Sequence, residues 1–200
     1  VGRRQELEEQ LRKVAYYDPI SGLPSRRAVG REVPLPVIPA ESNLHREVLL
    51  ISIANLPELS AVLDSKLIDQ LIRTFADRLR DQLDLSSDLA LRGRGFRFFV
   101  VTVIREDEDA QELALRIQKS FRLPVPIGAG SVRLRVHIGM TELDPEEAFD
   151  AARKRAEVAV RTTAAMGSSA QIGRYSSRDD ETAARRVQLE TAMSRSSFLQ

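Results

Sequence analysis

Leu89-Ala-Leu-Arg-Gly-Arg-Gly-Phe-Arg-Phe-Phe-Val-Val-Thr-Val-Ile104 decides how the chain folds. Leu89 to Leu91 and Phe96 to Ile104 are rich in strand-forming residues and flank a short polar connection, Arg92-Gly93-Arg94-Gly95. The spacing predicts a buried β-hairpin with its turn exposed. Glycines in such a turn allow a ligand to approach the backbone, and the neighbouring side chains set the chemistry. Here those side chains are Arg94, Phe96 and Arg97: no acid, no nucleophile and no metal ligand.

Strands and helices alternate on either side of this hairpin. Downstream, Glu108 to Ser120 has helical spacing through Ala110, Leu113, Ala114 and Ile117. Pro124 to Ile127, a Gly128-Ala129-Gly130 turn and Val132 to Ile138 read as a second hairpin. Its second strand places Val132, Leu134, Val136 and Ile138 on one face and Arg133, Arg135 and His137 on the other. Pro145 to Ala165 reads as a helix whose small residues, Ala152, Ala156 and Ala159, allow close packing on a sheet, and a last strand covers about Ala170 to Tyr175. Upstream, Val48 to Ile53 has the length and apolarity of a buried strand. A helical pattern opens at Pro57 and continues through Leu67, Ile68, Leu71, Ile72, Phe75, Leu79 and Leu83. Pro34 to Glu47 is polar and proline-containing, an expected loop or irregular edge, with His45 as an exposed loop residue. The order β, α, β, β, α, β, α, β predicts an α/β (α+β) domain, a mixed and mainly antiparallel sheet covered by helices.

Composition narrows the function classes. With 200 residues, 42% of them hydrophobic, the chain can bury a sizeable core. Its 30 basic and 29 acidic residues leave a net charge of +1, so no global field draws it to nucleic acid or membrane. Arg133 and Arg135 lack the interleaved aromatic residues of a single-strand nucleic-acid platform. The absence of cysteine excludes disulfides, thiolate zinc sites and thiol catalysis, and fits a cytoplasmic location. No apolar run approaches the ~20 residues that span a bilayer, and no direct membrane contact is expected.

Tyr17-Asp-Pro-Ile-Ser-Gly-Leu-Pro-Ser-Arg-Arg27 is the most distinctive short run. Asp18-Pro19 ends the preceding helix and Ser21-Gly22 turns the chain. Pro24-Ser25 is placed to start a helix running through Val29 to Val33. This run resembles the Asp-x-Leu-Thr-Gly-Leu-Pro-Asn-Arg-Arg signature that opens GGDEF domains, the diguanylate cyclase family. Outside its free position the match is identical or conservative, and the resemblance extends from about Tyr17 to Tyr175.

The resemblance implies a nucleotide-cyclase-like fold and allows the chemistry to be compared position by position. In an active cyclase the strand matching Val48 to Ile53 ends in an Asp-x-Asp pair whose first acid binds magnesium; here those positions are Ser52 and Ala54. The asparagine that reads guanine falls on Ser60, while the second guanine contact falls on a retained acid, Asp69. The signature turn falls on Arg94-Gly95-Phe96-Arg97-Phe98, keeping only one glycine and the final phenylalanine. Phe96 offers no oxygen, and Arg97 brings positive charge to a cation's place. The later Ala-Asp-x-Ala-Leu-Tyr-x-Ala-Lys signature appears as Ala156 to Ala164 without its lysine. The inhibitory Arg-x-x-Asp appears as Leu85-Ser-Ser-Asp88, with only Asp88 retained.

The implied protein is a degenerate GGDEF domain without a magnesium cofactor, acting as a regulatory middle in cyclic-di-GMP signalling. An alternative implied by the retained groups is a metal-independent sensor of GTP or another nucleotide, using Asp69 with Arg92, Arg94 and Arg97. Against that stands the simpler expectation that these arginines pair with nearby acids. Residues 1–16 carry Leu7, Leu11 and Val14 at coiled-coil spacing and read either as a solvated helix on its own domain or as a connecting helix from an upstream module, the latter favoured. Residues 17–176 form the domain. Residues 177–200 hold an amphipathic helix resembling the segment that leads to an EAL module. The chain begins without methionine and ends within a helical pattern, so it is expected to belong to a longer protein. The expected partners are an upstream sensor, a downstream EAL-type module and a second copy of the chain.

Overall fold

A computed structural model describes residues 2–105, 108–167 and 171–176. Its main sheet joins β1 (Leu44–Ile53), β2 (Asp88–Arg92), β3 (Arg97–Arg105), β6 (Val136–Leu143) and β7 (Ile172–Arg174) in the order β2-β3-β1-β6-β7. All neighbours run antiparallel except β6 and β7, which are parallel. Between them β4 (Val125–Ile127) and β5 (Gly130–Val132) form a separate two-stranded sheet. Five helices accompany the strands among the described residues: α1 (Gly2–Tyr16), α2 (Leu56–Val62), α3 (Ser65–Arg80), α4 (Gln111–Ser120) and α5 (Phe149–Ala165). The mixed, mainly antiparallel sheet with helices on its faces is the expected class.

Period-two alternation in the central strands supplies two cores. Leu49, Ile51, Phe98 and Val100 share one cluster with Leu71, Phe75 and Leu79 of α3 and Ala114 and Ile117 of α4. Phe75 stacks between Phe98 and Phe121, with ring centroids 4.5 and 4.0 Å away. Val48, Leu50, Phe99 and Val101 form the second cluster with Phe149, Ala152 and Ala156 of α5. The alanines bring α5 close to the sheet, as their spacing predicted.

Four expectations need correction. The expected single helix opening at Pro57 is two, because Leu63 leaves helical geometry and Asp64 caps a new start by accepting from the Leu67 N–H at 2.8 Å; Leu83 lies beyond the end of α3. The helix expected from Pro24 to Val33 is only a 3-10 turn, Arg26–Ala28, because Val29 is already extended and no side chain caps the start. The expected strand from Val132 to Ile138 is interrupted at residues 133–135. There Asn55 takes over the pairing, its Nδ2 donating to the Arg133 carbonyl at 2.9 Å and its Oδ1 accepting from the Arg135 N–H at 2.8 Å. Finally, β1 starts at Leu44, inside the stretch that reads as a loop, because β3 runs on to Arg105 and offers it partners.

The N-terminal helix stands apart. Residues 2–15 are all exposed, including Leu7, Leu11 and Val14, so the apolar seam does not pack on the sheet. Among the described residues only its C-terminal end is tied down, through Ser25 N–H to the Tyr16 carbonyl at 2.7 Å and an ion pair from Arg12 to Glu32 at 3.5 Å. Among the described residues no helix is long and apolar enough to cross a membrane. The amphipathic C-terminal segment of residues 177–200 lies outside the described residues.

Candidate functional site

The central hairpin joins β2 to β3 through Gly93, Arg94, Gly95 and Phe96. Gly93 N–H donates to the Arg97 carbonyl at 2.8 Å, and Gly95 has φ +63°, a conformation that favours glycine. Beneath the turn, Arg92 is pinned from several sides. Its Nη1 donates to the carbonyls of Gly93 (3.0 Å) and Arg97 (3.1 Å). The guanidinium lies 4.7 Å from the centroid of Phe98 and its Nε 3.8 Å from an Asp18 carboxylate oxygen. Burial draws the Arg92 pKa below its ordinary value, and the charge of Asp18 opposes that pull. Arg92 therefore holds the turn to the Asp18 segment.

Asp18 in turn organises its own run. Its Oδ2 accepts from the Ser21 N–H at 2.7 Å and the Ser21 hydroxyl at 2.6 Å. Pro24 accepts from Arg92 N–H at 2.8 Å, and Arg80 Nη2 donates to the Ser21 carbonyl at 2.8 Å. The most distinctive motif of the sequence is thus a brace for the hairpin.

Register then builds the row where a metal-binding acid is expected. Ser52 lies opposite Arg97 on β3 and opposite His137 on β6, all three on the face covered by α5. Arg97 Nη1 donates to Glu157 Oε1 of α5 at 3.1 Å, and Arg153 Nη1 donates to the same oxygen at 2.5 Å. Arg153 also donates to Asp150 at 3.2 Å. His137 is half-buried, and its pKa is lowered by burial and then by the nearby Arg135. The row presents a guanidinium, a hydroxyl and an imidazole. Its carboxylate, Glu157, is shared by two arginines. Sequence reasoning named Glu157 only within the α5 signature and did not pair it with Arg97, since the two lie 60 positions apart. The signal available was the presence of an acid on α5 and a cation in the turn.

The other named residues lie elsewhere. Asp69 sits half-buried on α3, which packs on the opposite face of the sheet from Arg97. The structure gathers Arg92, Arg94 and Arg97 at one cleft and does not place Asp69 among its lining residues. Phe96 is half-buried in the turn, with the Arg92 guanidinium 5.9 Å from its ring centroid. Leu85 is exposed, and Asp88 begins β2 at the far end from the turn, where it accepts from the Asp84 N–H at 2.8 Å. His45 is partly buried rather than exposed, 3.5 Å from Glu47.

The Arg97–Glu157–Arg153 bridge yields a first prediction. Glu157→Gln is expected to lower stability by about 1 kcal/mol, because two arginines lose one shared counter-charge in a partly solvated site. Urea unfolding midpoints measure it, and an unchanged midpoint would show the bridge to be energetically idle.

The sequence profile described as "Diguanylate cyclase, GGDEF domain" matches residues 15–170. The chain belongs to the GGDEF family. Solved structures share the fold of this GGDEF domain. A diguanylate cyclase/phosphodiesterase from Caldicellulosiruptor saccharolyticus aligns with TM-score 0.69 at 21% identity, over 82% of this chain and 96% of that one. The coiled coil and GGDEF domain of DgcB from Caulobacter crescentus, in complex with c-di-GMP, aligns with TM-score 0.68 at 20% identity, over 86% and 92%. An EAL/GGDEF domain protein from M. capsulatus aligns with TM-score 0.59 at 19% identity, over 70% and 90%. No curated protein matches the chain by sequence.

Proposed function

We propose that this GGDEF domain has no cyclase activity and works as a coupling module in cyclic-di-GMP signalling. The observation that carries the reading is the row of Arg97, Ser52 and His137, with Arg97 tied to Glu157. Magnesium takes hard oxygen ligands, at least one of them a carboxylate in a phosphoryl-transfer site. Ser52 and Phe96 supply no carboxylate, and a guanidinium beside the row repels a second cation. The donor set does not fit magnesium, so metal-assisted phosphoryl transfer has no ligands to rest on.

What is left intact suits transmission. The Asp18 to Arg27 run fastens the end of α1 to the hairpin through Tyr16, Pro24 and Arg92, so a rotation of α1 is delivered to the turn. The exposed seam of Leu7, Leu11 and Val14 suits pairing with a second copy. Similarity to proteins described as diguanylate cyclase/phosphodiesterase and as EAL/GGDEF supports a downstream EAL-type module as the receiver.

Incubation of the chain with GTP and magnesium, followed by chromatography for cyclic-di-GMP, is expected to give no product; product formation would overturn the loss of catalysis. For the coupling role, removing residues 17–176 from the full-length protein is expected to abolish regulation of its downstream activity. Unchanged regulation would refute that role.

A further inference from the structure

Val33-Pro-Leu-Pro-Val-Ile-Pro39 lies between the 3-10 turn and β1 and carries three prolines in seven residues, with no helix or strand over residues 34–39. Proline fixes its own φ at about −65° and drives the residue before it into an extended conformation, so Pro34, Pro36 and Pro39 also constrain Val33, Leu35 and Ile38. Only Val37 escapes. The stretch is therefore a preformed polyproline II strip whose turn of about three residues gives it three edges: 34 with 37, 35 with 38, and 36 with 39. Burial follows that period. Leu35 packs against the second core and Ile38 is half-buried, whereas Pro34 and Val37 are exposed, Val37 at 76%.

The domain holds this strip at both ends and in the middle. Val33 N–H donates to the Ala28 carbonyl at 3.0 Å, Arg46 Nε to the Pro36 carbonyl at 2.7 Å, and the Ser42 hydroxyl to the Pro39 carbonyl at 2.6 Å. Between those ties the backbone is open: among the described residues no donor reaches the carbonyls of Pro34, Leu35, Val37 and Ile38. The charges at the two ends differ in sign. Arg31 is exposed in the turn before the strip and has no ion-pair partner among the described residues, because the adjacent Glu32 is taken by Arg12, while Glu41 is exposed beyond the far end.

We propose that the outer edges of this strip dock in an aromatic-lined groove of a partner protein, with an acidic rim of that groove meeting Arg31. Flat aromatic rings take prolines between them, their polar tips donate to free carbonyls, and a strip that is already ordered loses little conformational entropy on binding. The opposite charges of Arg31 and Glu41 fix the direction in which the strip lies in the groove. A second copy of the chain does not offer such a groove, since the chain has no tryptophan and its described phenylalanines and tyrosines are all buried or half-buried. The strip is apart from the hairpin, so the inference holds whether or not the domain has lost catalysis.

The test begins with the photo-crosslinking residue benzoylphenylalanine in place of Val37, in the full-length protein and in the cells that produce it. An adduct with a different protein is expected, lost when Pro36→Ala and Pro39→Ala are combined and absent when the crosslinker replaces Val62, which is equally exposed at 77%. Capture alone does not support the assignment, so the captured protein is purified and titrated with this chain. Because the chain has no tryptophan, any change in tryptophan emission belongs to the partner and reports on its groove. Affinity is expected to fall about tenfold or more for Pro36→Ala with Pro39→Ala and for Val37→Asp, and by a smaller, salt-dependent factor for Arg31→Glu. Val37 is exposed, so Val37→Asp is expected to leave the thermal melt unchanged and separates docking from folding. The absence of an adduct, an adduct with a second copy or within the chain itself, an affinity indifferent to both the proline and the Val37 substitutions, or binding without a change in the partner's tryptophan emission would each overturn the assignment.

Discussion

Arg174→Ala is expected to lower the unfolding free energy by about 3 kcal/mol, near the bottom of the range for removing one partner of a buried ion pair. Glu47 is the fourth residue of β1, and its side chain is 4% exposed. Arg174 Nη1 donates to both of its carboxylate oxygens at 2.8 Å, while Nη2 reaches Asp109 at 2.5 Å. Without the guanidinium, Glu47 keeps only His45 among the described residues, 3.5 Å away, and a buried charge loses its main compensation. Arg174 is 41% exposed and the neighbouring cleft admits water, which keeps the expected cost from rising higher. For a chain of this size the melting temperature should fall by roughly 6–12 °C. Arg174→Ala with Glu47→Leu should recover much of the loss, because an apolar side chain there requires no counter-charge. A single-substitution effect below about 1 kcal/mol would mean that solvent, rather than Arg174, compensates Glu47.

That pair also marks where sequence reasoning stopped. The central hairpin was legible because Phe98 to Val103 has the apolar length of a core strand and Arg92 to Gly95 the composition of a turn. The start of β1 was not, since His45, Arg46 and Glu47 look like solvated loop residues until partners distant in sequence are known. Arg46 donates to the Pro36 carbonyl at 2.7 Å, and Glu47 meets Arg174 from 127 positions away. The interruption at residues 133–135 was hidden for a similar reason: the alternation of Val132, Leu134, Val136 and Ile138 continues through it, while Asn55 replaces a strand partner. Around the site, Ser52, Phe96 and Arg97 stood out in the sequence only as positions where the resemblance expects other residues. The contact from Arg97 to Glu157 and the gathering of Arg26, Arg27 and Arg153 at the cleft required the packing of α5 and α1. Composition can name the charges, but only tertiary structure shows which of them neutralise one another.

Gly139→Ala is expected to cost about 3 kcal/mol or more, the upper part of the range for overpacking, because the obstruction is backbone. A Cβ on Gly139 of β6 would run into the Ala156 carbonyl oxygen and lie 2.7 Å from the Val160 nitrogen and 2.8 Å from Val160 Cγ2. Ala156 is fully buried against the sheet, so α5 itself must lift to make room. Truncating Val160 to alanine should therefore restore little. Gly173→Ala offers the contrast: its Cβ would run into the Thr163 hydroxyl, while the next contacts are 3.3 and 3.4 Å. Adding Thr163→Ala removes that hydroxyl and should recover most of the Gly173→Ala loss, at the cost of the hydroxyl's 2.8 Å hydrogen bond to the Ala159 carbonyl. Lifting α5 also carries Arg153 and Glu157 away from Arg97, so Gly139→Ala should abolish the interaction energy between Arg97 and Glu157 in a double-mutant cycle. If that coupling persisted in the Gly139→Ala background, the helix would have accommodated the methyl group locally, and the close seating of α5 would not be what sets the geometry beneath the hairpin.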